Sequence, residues 1–217
     1  MKGNALFPDF RILQGVLLVV SLFSAFVNLA CATPGISDRA VLEEINLART
    51  EPRLYAGFLK DFRSHFEGKF YRLPGVVPVI ETNEGAIAVD EAINFLVSQK
   101  PLPALGWSAG LAAAAAELVE EQGKSGATGH NGVKSGGILV RVKRHEIEGR
   151  MIGENIAYGP NSERGMVMQL LIDDGVPNRG HRKNQFDPIF DRAGVSCGSH
   201  PRYETVCVID FWGRPGK

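Results

Sequence analysis

Two histidines and one glutamate stand in short glycine-containing segments, where their side chains could bind a metal ion or transfer a proton. His130 lies in Thr-Gly-His-Asn-Gly, Glu154 in Ile-Gly-Glu-Asn-Ile-Ala, and His181 in Asn-Arg-Gly-His-Arg-Lys-Asn. A neighbouring glycine lets the backbone turn sharply and bring a polar side chain to the mouth of a cleft. If the three side chains converge, they form a site for a divalent cation or for acid–base chemistry.

Each of these residues also has a purely structural interpretation. Histidines in polar loops are often only solvated. Glu154 stands between Ile152 and Ile156, where a carboxylate is costly to bury unless it is paired. Its structural alternative is a helix cap or an ion pair with Arg150 or Arg182. Three other histidines have no motif around them and are expected at the surface: His65, His145 and His200.

The charge balance argues against nucleic acid as a partner. The chain has 24 basic and 24 acidic residues. Without residues 1–32 it has 22 basic and 23 acidic residues, a net charge of −1. No long basic stripe occurs, and nucleic-acid binding depends on one. The short basic cluster at 141–145 is expected to be a solvated face or a strand edge.

The first 32 residues have the pattern of an export signal. Lys2 and Arg11 flank the early part, residues 16–27 are almost all apolar, and an Ala-Cys-Ala tripeptide ends at Ala32. Small residues at these spacings are what a signal peptidase recognises. We predict a signal peptide over residues 1–32, cleaved after Ala32. The product is then secreted, periplasmic or held in the cell envelope, without stable membrane insertion.

Two other fates of this segment stay open. The apolar run is short for a membrane-spanning helix, which needs about 20 residues, but residues 12–32 could remain uncleaved as an anchor. Cys31 could instead carry a lipid. Asn28 stands where such a site requires an apolar residue, which makes this the weaker alternative.

Cleavage after Ala32 would remove Cys31 and leave Cys197 and Cys207. These two flank a turn-like Gly-Ser-His-Pro-Arg segment. In an exported protein an even pair of cysteines predicts a disulfide, here across a hairpin. The alternative is a pair of reduced, buried cysteines that act as small apolar residues.

Apolar residues at helical spacing predict the helices that position these motifs. Asp38 is a candidate cap for the first, Pro52 should break it, and Ser108 is a candidate cap further along. The predicted helical segments are 36–59 with the break at Pro52, 84–100, 108–122 and 163–174.

The rest of the chain predicts loops and a small sheet. Polar loops over 123–137 and 175–188 hold the two histidines, and 140–145 is a candidate strand. Residues 193–197 and 205–211, rich in Val, Ile and Phe, predict an antiparallel strand pair. One α+β domain of helices and a small antiparallel sheet fits these elements.

The order of the motifs resembles the CAP superfamily, which joins cysteine-rich secretory proteins, antigen 5 and the plant pathogenesis-related class 1 proteins. From 104 to 212 the chain carries Leu-Gly-Trp-Ser-Ala-Gly-Leu, an Ala-rich helix, Gly-His, Gly-Glu-Asn-Ile-Ala, Arg-Gly-His-Arg-Lys-Asn and a closing strand pair. The Gly-His-Arg version is similar to bacterial members. The resemblance implies an α-β-α three-layer sandwich for residues 33–217, with an insertion around 60–103.

The resemblance also implies a cleft lined by two histidines and two acidic residues. By motif, the histidines are His130 and His181, and one acid is Glu154. The second acid departs from the family pattern, because the helix before His181 ends in Leu-Ile-Asp-Asp without the family's Trp and Glu. Asp173 or Asp174 is then the candidate replacement, unless the site has only three members or these aspartates merely end the helix.

Three functions follow from these residues and from the resemblance. The first is a binding protein that holds Zn²⁺ or another divalent metal through His130 and His181, or a lipid or other small ligand in its cleft. The second is a metal-assisted peptide or ester hydrolase with Glu154 as general base, although no nucleophile elbow, zinc-protease or catalytic-cysteine motif is recognised. The third is a non-catalytic cell-envelope interaction protein with a vestigial cleft.

Overall fold

The computed structural model describes residues 35–75, 79–148 and 151–214, so the predicted signal peptide lies outside the described residues. None of the described helices is long and apolar enough to span a bilayer. The helices are α1 Asp38–Thr50, α2 Pro52–Arg63, α3 Ala86–Ser98, α4 Ala109–Ser125, α5 Ile138–Arg144, α6 Glu163–Ile172 and α7 Gly180–Phe186. The strands are β1 Phe66–Glu67, β2 Phe70–Tyr71, β3 Ile80–Glu81, β4 Gly106–Trp107, β5 Met151–Tyr158, β6 Phe190–His200 and β7 Glu204–Gly213.

The predicted helix boundaries hold where proline and serine set them. Pro52 breaks the first run and starts α2, because proline lacks the N–H group that a helix interior needs. Ser108 caps α4 as predicted. The cap of α1 is Ser37 and not Asp38. Asp38 instead accepts a 2.8 Å hydrogen bond from the N–H of Cys197, which ties α1 to β6.

The main sheet has the strand order β4-β6-β7-β5. Strands β6 and β7 form the predicted antiparallel pair, and β5 is antiparallel to β7 at the sheet edge. The short β4 runs parallel to β6, which the sequence did not indicate. Cys197 lies opposite Cys207 in the register, and the predicted disulfide between them is confirmed.

Helices cover both faces of this sheet, and the predicted α-β-α sandwich is confirmed. Because side chains alternate along a strand, Val206 and Val208 of β7 pack under α4 on one face. Cys207 and Ile209 point to the other face, where α1, α6 and α7 lie. Helices α2 and α3 extend that second layer, with α3 burying Ala88, Val89, Ala92, Ile93 and Leu96.

Helix α4 lies unusually close to β6. A Cβ atom on Gly194 would stand 2.0 Å from the backbone nitrogen of Ala112 and 2.6 Å from the Cβ of Leu111. Only the absence of a side chain allows this approach. The contact fixes α4 on the face of the sheet that carries Glu154.

Two predicted elements differ from the structure. The strand predicted over 140–145 is wrong, because residues 140–144 belong to helix α5 and His145 is its C-cap. The loop predicted over 175–188 contains the short helix α7. The β-branched residues of 138–142 favour a strand locally. Tertiary packing overrides this preference, since the helix turns Arg141 and Val142 into the interior.

Candidate functional site

His130 and Glu154 contact each other directly. Nδ1 of His130 lies 2.8 Å from Oε1 of Glu154. The histidine side chain is 53% exposed and the glutamate side chain only 3% exposed. The hydrogen bond that His130 donates to Glu154 raises the pKa of the histidine, against a smaller opposing effect of burial. A buried carboxylate therefore orients a solvent-accessible imidazole.

The ion-pair partner of Glu154 is Arg141, whose side chain is fully buried. The solvated face or strand edge predicted for this arginine is wrong, because α5 turns its side chain inward. Its guanidinium also donates to the carbonyl oxygens of His130, at 3.3 Å, and Gly136, at 2.7 Å. One arginine thus fixes both the acid and the histidine loop.

A second buried acid lies beside this pair, and no sequence motif pointed to it. Asp210 is the partner of Glu154 in the β5–β7 register and is completely buried. Burial raises the pKa of Asp210 well above its ordinary value, and the charge of Glu154 adds to the rise, while Arg141 opposes it. A neutral Asp210 is a hydrogen-bond donor next to the Glu154 carboxylate. The available signal was an aspartate within an otherwise apolar strand.

We expect the free energy of unfolding of Asp210→Asn, relative to that of the wild type, to be higher at pH 7 than at pH 4. The raised pKa means that folded Asp210 keeps its proton while the unfolded chain ionises above about pH 4. The contribution of Asp210 to the free energy of unfolding therefore falls as the pH rises from about 4 towards the pKa of the folded state. Asparagine does not titrate and has no such loss. Urea unfolding of both proteins at the two pH values measures the difference. A stability difference that does not grow with pH would contradict an uncharged Asp210.

His181 is paired with Asp173. The ring Nδ1 lies 2.6 Å from Oδ1 of Asp173, and the backbone N–H of His181 donates to Oδ2 at 2.9 Å. The aspartate follows α6 in a left-handed conformation with φ of +56° and is 1% exposed at its side chain. Asp174 has a different role, since it accepts the N–H groups of Asn83 and Glu84, each at 2.7 Å.

The two histidine pairs are connected through consecutive residues of the edge strand β5. Glu154 faces the α4 and α5 side, and Asn155 faces the opposite side. The side chain of Asn155 donates to the carbonyl of His181 at 2.9 Å. Asn184 donates to the side chain of Asn155 at 2.9 Å and to the Glu154 carbonyl at 3.3 Å. Asn155 and Asn184 thus bind the His181 segment to β5 next to Glu154, and each histidine has its own carboxylate partner.

The loop that carries His130 is held by residues outside every motif. The Tyr158 hydroxyl accepts the N–H of Gly129 and donates to Gln122, both at 2.9 Å. Nε2 of Gln122 donates to the Gly129 carbonyl at 2.6 Å. His200, expected at the surface, is buried instead, and its Nε2 lies 3.0 Å from the Ala127 carbonyl. This histidine has a structural role.

The contacts of Glu154 fit a positioning role better than that of a general base. One carboxylate oxygen is bound to His130 and the other to Arg141. The expected absence of a nucleophile-elbow motif is wrong for the letters alone, since Gly-Val-Ser-Cys-Gly at 194–198 matches it. Its serine, however, lies within β6 and not on a strand-to-helix turn. Ser196 therefore lacks the exposed position that such a nucleophile needs.

A metal cage with many protein ligands is not present among the described residues. No group of three or more His, Cys, Asp or Glu side chains in the parts of the chain that the structure describes is placed to hold a metal ion. The available donors are the two imidazoles, whose Nδ1 atoms are both occupied by carboxylates. A cation bound by either ring would therefore be bound through its Nε2.

The model of the cysteine-rich secretory protein (CAP) family matches residues 42–211. The chain belongs to this family. The match includes α3 and the segment around 60–103 as well as both histidine motifs, so the CAP domain extends over most of the described residues. Among curated protein sequences, none matches significantly.

Several bacterial CAP-like structures are similar to this CAP domain at low identity. An extracellular SCP-domain protein from Bacillus anthracis matches with a TM-score of 0.45 and 22% identity, over 59% of this chain and 39% of that chain. An outer surface protein from Borrelia burgdorferi matches with a TM-score of 0.44 and 18% identity, over 52% of this chain and 80% of that one. A cysteine-rich secretory protein from Staphylococcus aureus has a TM-score of 0.39 and 14% identity, over 51% and 32% of the two chains. The aligned region thus spans well under half of the Bacillus protein.

Proposed function

We propose that this CAP domain is an exported binding protein that holds a divalent cation through Nε2 of His130 and His181. The observation that carries the proposal is the repeated arrangement at the two histidines. Each ring has its Nδ1 fixed by a carboxylate that is almost completely buried. Metal-ligating histidines are commonly oriented in this way by a second hydrogen-bonded group.

The carboxylates determine which nitrogen of each ring is available. A proton held between Nδ1 and Asp173 or Glu154 leaves the lone pair on Nε2. The two acids thus orient the rings and select the tautomer without contacting the cation. Zn²⁺ suits imidazole donors, and when bound it would supply a Lewis acid. Two protein ligands are fewer than zinc enzymes use, so we expect modest affinity.

Export is part of the same proposal. The signal-like pattern of residues 1–32 supports it, and so does the disulfide between Cys197 and Cys207, since such bonds persist mainly in oxidising compartments. A lipid or other small ligand in the cleft remains a prediction. A vestigial cleft in a cell-envelope interaction protein is the alternative that the following titration separates from metal binding.

Removing either histidine should abolish most of the zinc affinity. In calorimetric titrations with Zn²⁺, we expect His130→Ala and His181→Ala each to weaken binding far more than His65→Ala, which lies outside both pairs. Asp173→Asn keeps the ligand but loses its carboxylate, and should weaken binding about 10–100-fold. Equal heats for the wild type and both alanine variants would exclude this site and favour the vestigial cleft.

A further inference from the structure

A group of ion pairs outside the two histidine pairs joins α3 to the segment just before His181. The guanidinium of Arg179 donates to Glu84 at 2.6 and 2.7 Å and to Glu91 at distances from 2.6 to 3.2 Å. Arg182, on the other side of His181, donates to Glu91 at 2.8 Å. Two carboxylates of the α3 region therefore hold the two arginines that flank the histidine.

Backbone groups strengthen the same connection. Asp174 accepts the N–H groups of Asn83 and Glu84, while Glu84 accepts the N–H of Gly175 at 2.8 Å. The two segments thus bind each other reciprocally. The contact with Arg179 lowers the pKa of Glu84 to about 2, so this carboxylate stays ionised far into the acid range.

The two arginines also contact the end of α6, where the partner of His181 lies. Arg182 donates to the carbonyl of Leu171 at 2.5 Å and to that of Ile172 at 3.0 Å, and Arg179 donates to the carbonyl of Asp173 at 2.8 Å. These are the last carbonyls of the helix, which have no partner within it. The arginines therefore join the end of α6 to the carboxylates of the α3 region.

The backbone of Arg179 itself depends on these contacts. Its φ of +51° lies in the left-handed region, which costs free energy for a residue other than glycine. Surrounding interactions must stabilise such a conformation. It sets the direction of the chain into α7, two residues before His181.

We propose that the α3 region positions His181 through two arginines. Glu84 and Glu91 hold Arg179 and Arg182, and these two positioning residues hold the segment that carries the histidine. The segment around 60–103 then has a role at the candidate site and is not a passive addition. Without the two carboxylates, two largely buried guanidinium groups lose their partners, and the end of α6 and the start of α7 loosen together. The Asp173–His181 hydrogen bond joins the end of α6 to the start of α7, so it depends on the position of both.

The test is Glu84→Gln combined with Glu91→Gln, with Asp90→Asn as the matched control. Asp90 lies on the same helix and pairs at 2.9 Å with Arg63, away from His181. In ¹⁵N-labelled, metal-free protein, we expect the Nδ1 proton of His181 to exchange with water at least about 10-fold faster in the double variant. The corresponding proton of His130 and both signals in Asp90→Asn should stay unchanged.

An unchanged His181 signal in the folded double variant would overturn the proposal. Should the double variant not fold, Arg179→Lys decides, because lysine keeps the charge but cannot form the planar fork to two carboxylates. It should give the same selective change at His181, and the absence of that change would equally overturn the proposal. The role in zinc binding rests on the proposed function and is tested separately by titration. If the wild type binds no Zn²⁺, the proposed function fails while the metal-free measurement still decides the positioning role.

Discussion

Arg141→Met should lower the free energy of unfolding by about 3–5 kcal/mol, since it leaves the buried carboxylate of Glu154 without its cation. The arginine side chain is fully buried, and Glu154, its partner, is 3% exposed. Methionine fills much of the same volume but provides no charge and no hydrogen-bond donor. The carbonyls of His130 and Gly136 would also lose their donor. Urea denaturation at pH 7 measures the loss.

Two further variants identify the cause of this effect. Arg144→Met lies on the same helix and removes an ion pair with Glu117 that is partly exposed, so it should cost no more than about 1 kcal/mol. Arg141→Met combined with Glu154→Gln removes the unpaired charge and should recover a substantial part of the loss. An additive double variant would mean that Arg141 stabilises the fold by packing alone.

Gly194→Ala should cost about 3 kcal/mol, at the upper end of what overpacking a core produces. The new methyl group would stand 2.0 Å from the backbone nitrogen of Ala112, and a backbone atom cannot move aside as a flexible side chain can. Helix α4 would have to shift away from β6. Thermal or urea unfolding gives the size of the effect.

Gly57→Ala provides the matched control for this prediction. Gly57 lies within α2 and has no atom within 4 Å of the position that a Cβ would occupy. Alanine there should stabilise by about 0.4–1 kcal/mol, because it restricts the unfolded chain and favours the helix. A Gly194→Ala variant as stable as the wild type would show that α4 and β6 do not pack as closely as described.

Much of the fold was readable from local patterns in the sequence. Pro52 and Ser108 set helix ends through chemistry that acts within a few residues, and their predicted effects are confirmed. The β6–β7 pair and the disulfide followed from apolar strand residues and two cysteines around a turn. Where local preference and packing disagreed, as in α5, the local prediction failed.

The residues of the candidate site were also only partly predictable from the sequence. His130, Glu154 and His181 stand in motifs that are visible in one dimension, so their types and positions could be named. The choice between Asp173 and Asp174 could not be made from the sequence. The two aspartates are neighbours, and only the left-handed turn after α6 decides in which direction each side chain points. Pairing with His181 distinguishes Asp173.

The sequence by itself determined the family, the order of the main elements and the histidines and acids that could do chemistry, because these depend on residue type and short spacing. Only the tertiary structure decided which side chains are partners. Arg141, Asp210 and the Glu84–Arg179 pair are separated along the chain from the groups they contact, and burial gives those contacts their importance. A charge acquires its partner and its cost of desolvation only after the sheet and its two helical layers have closed around it.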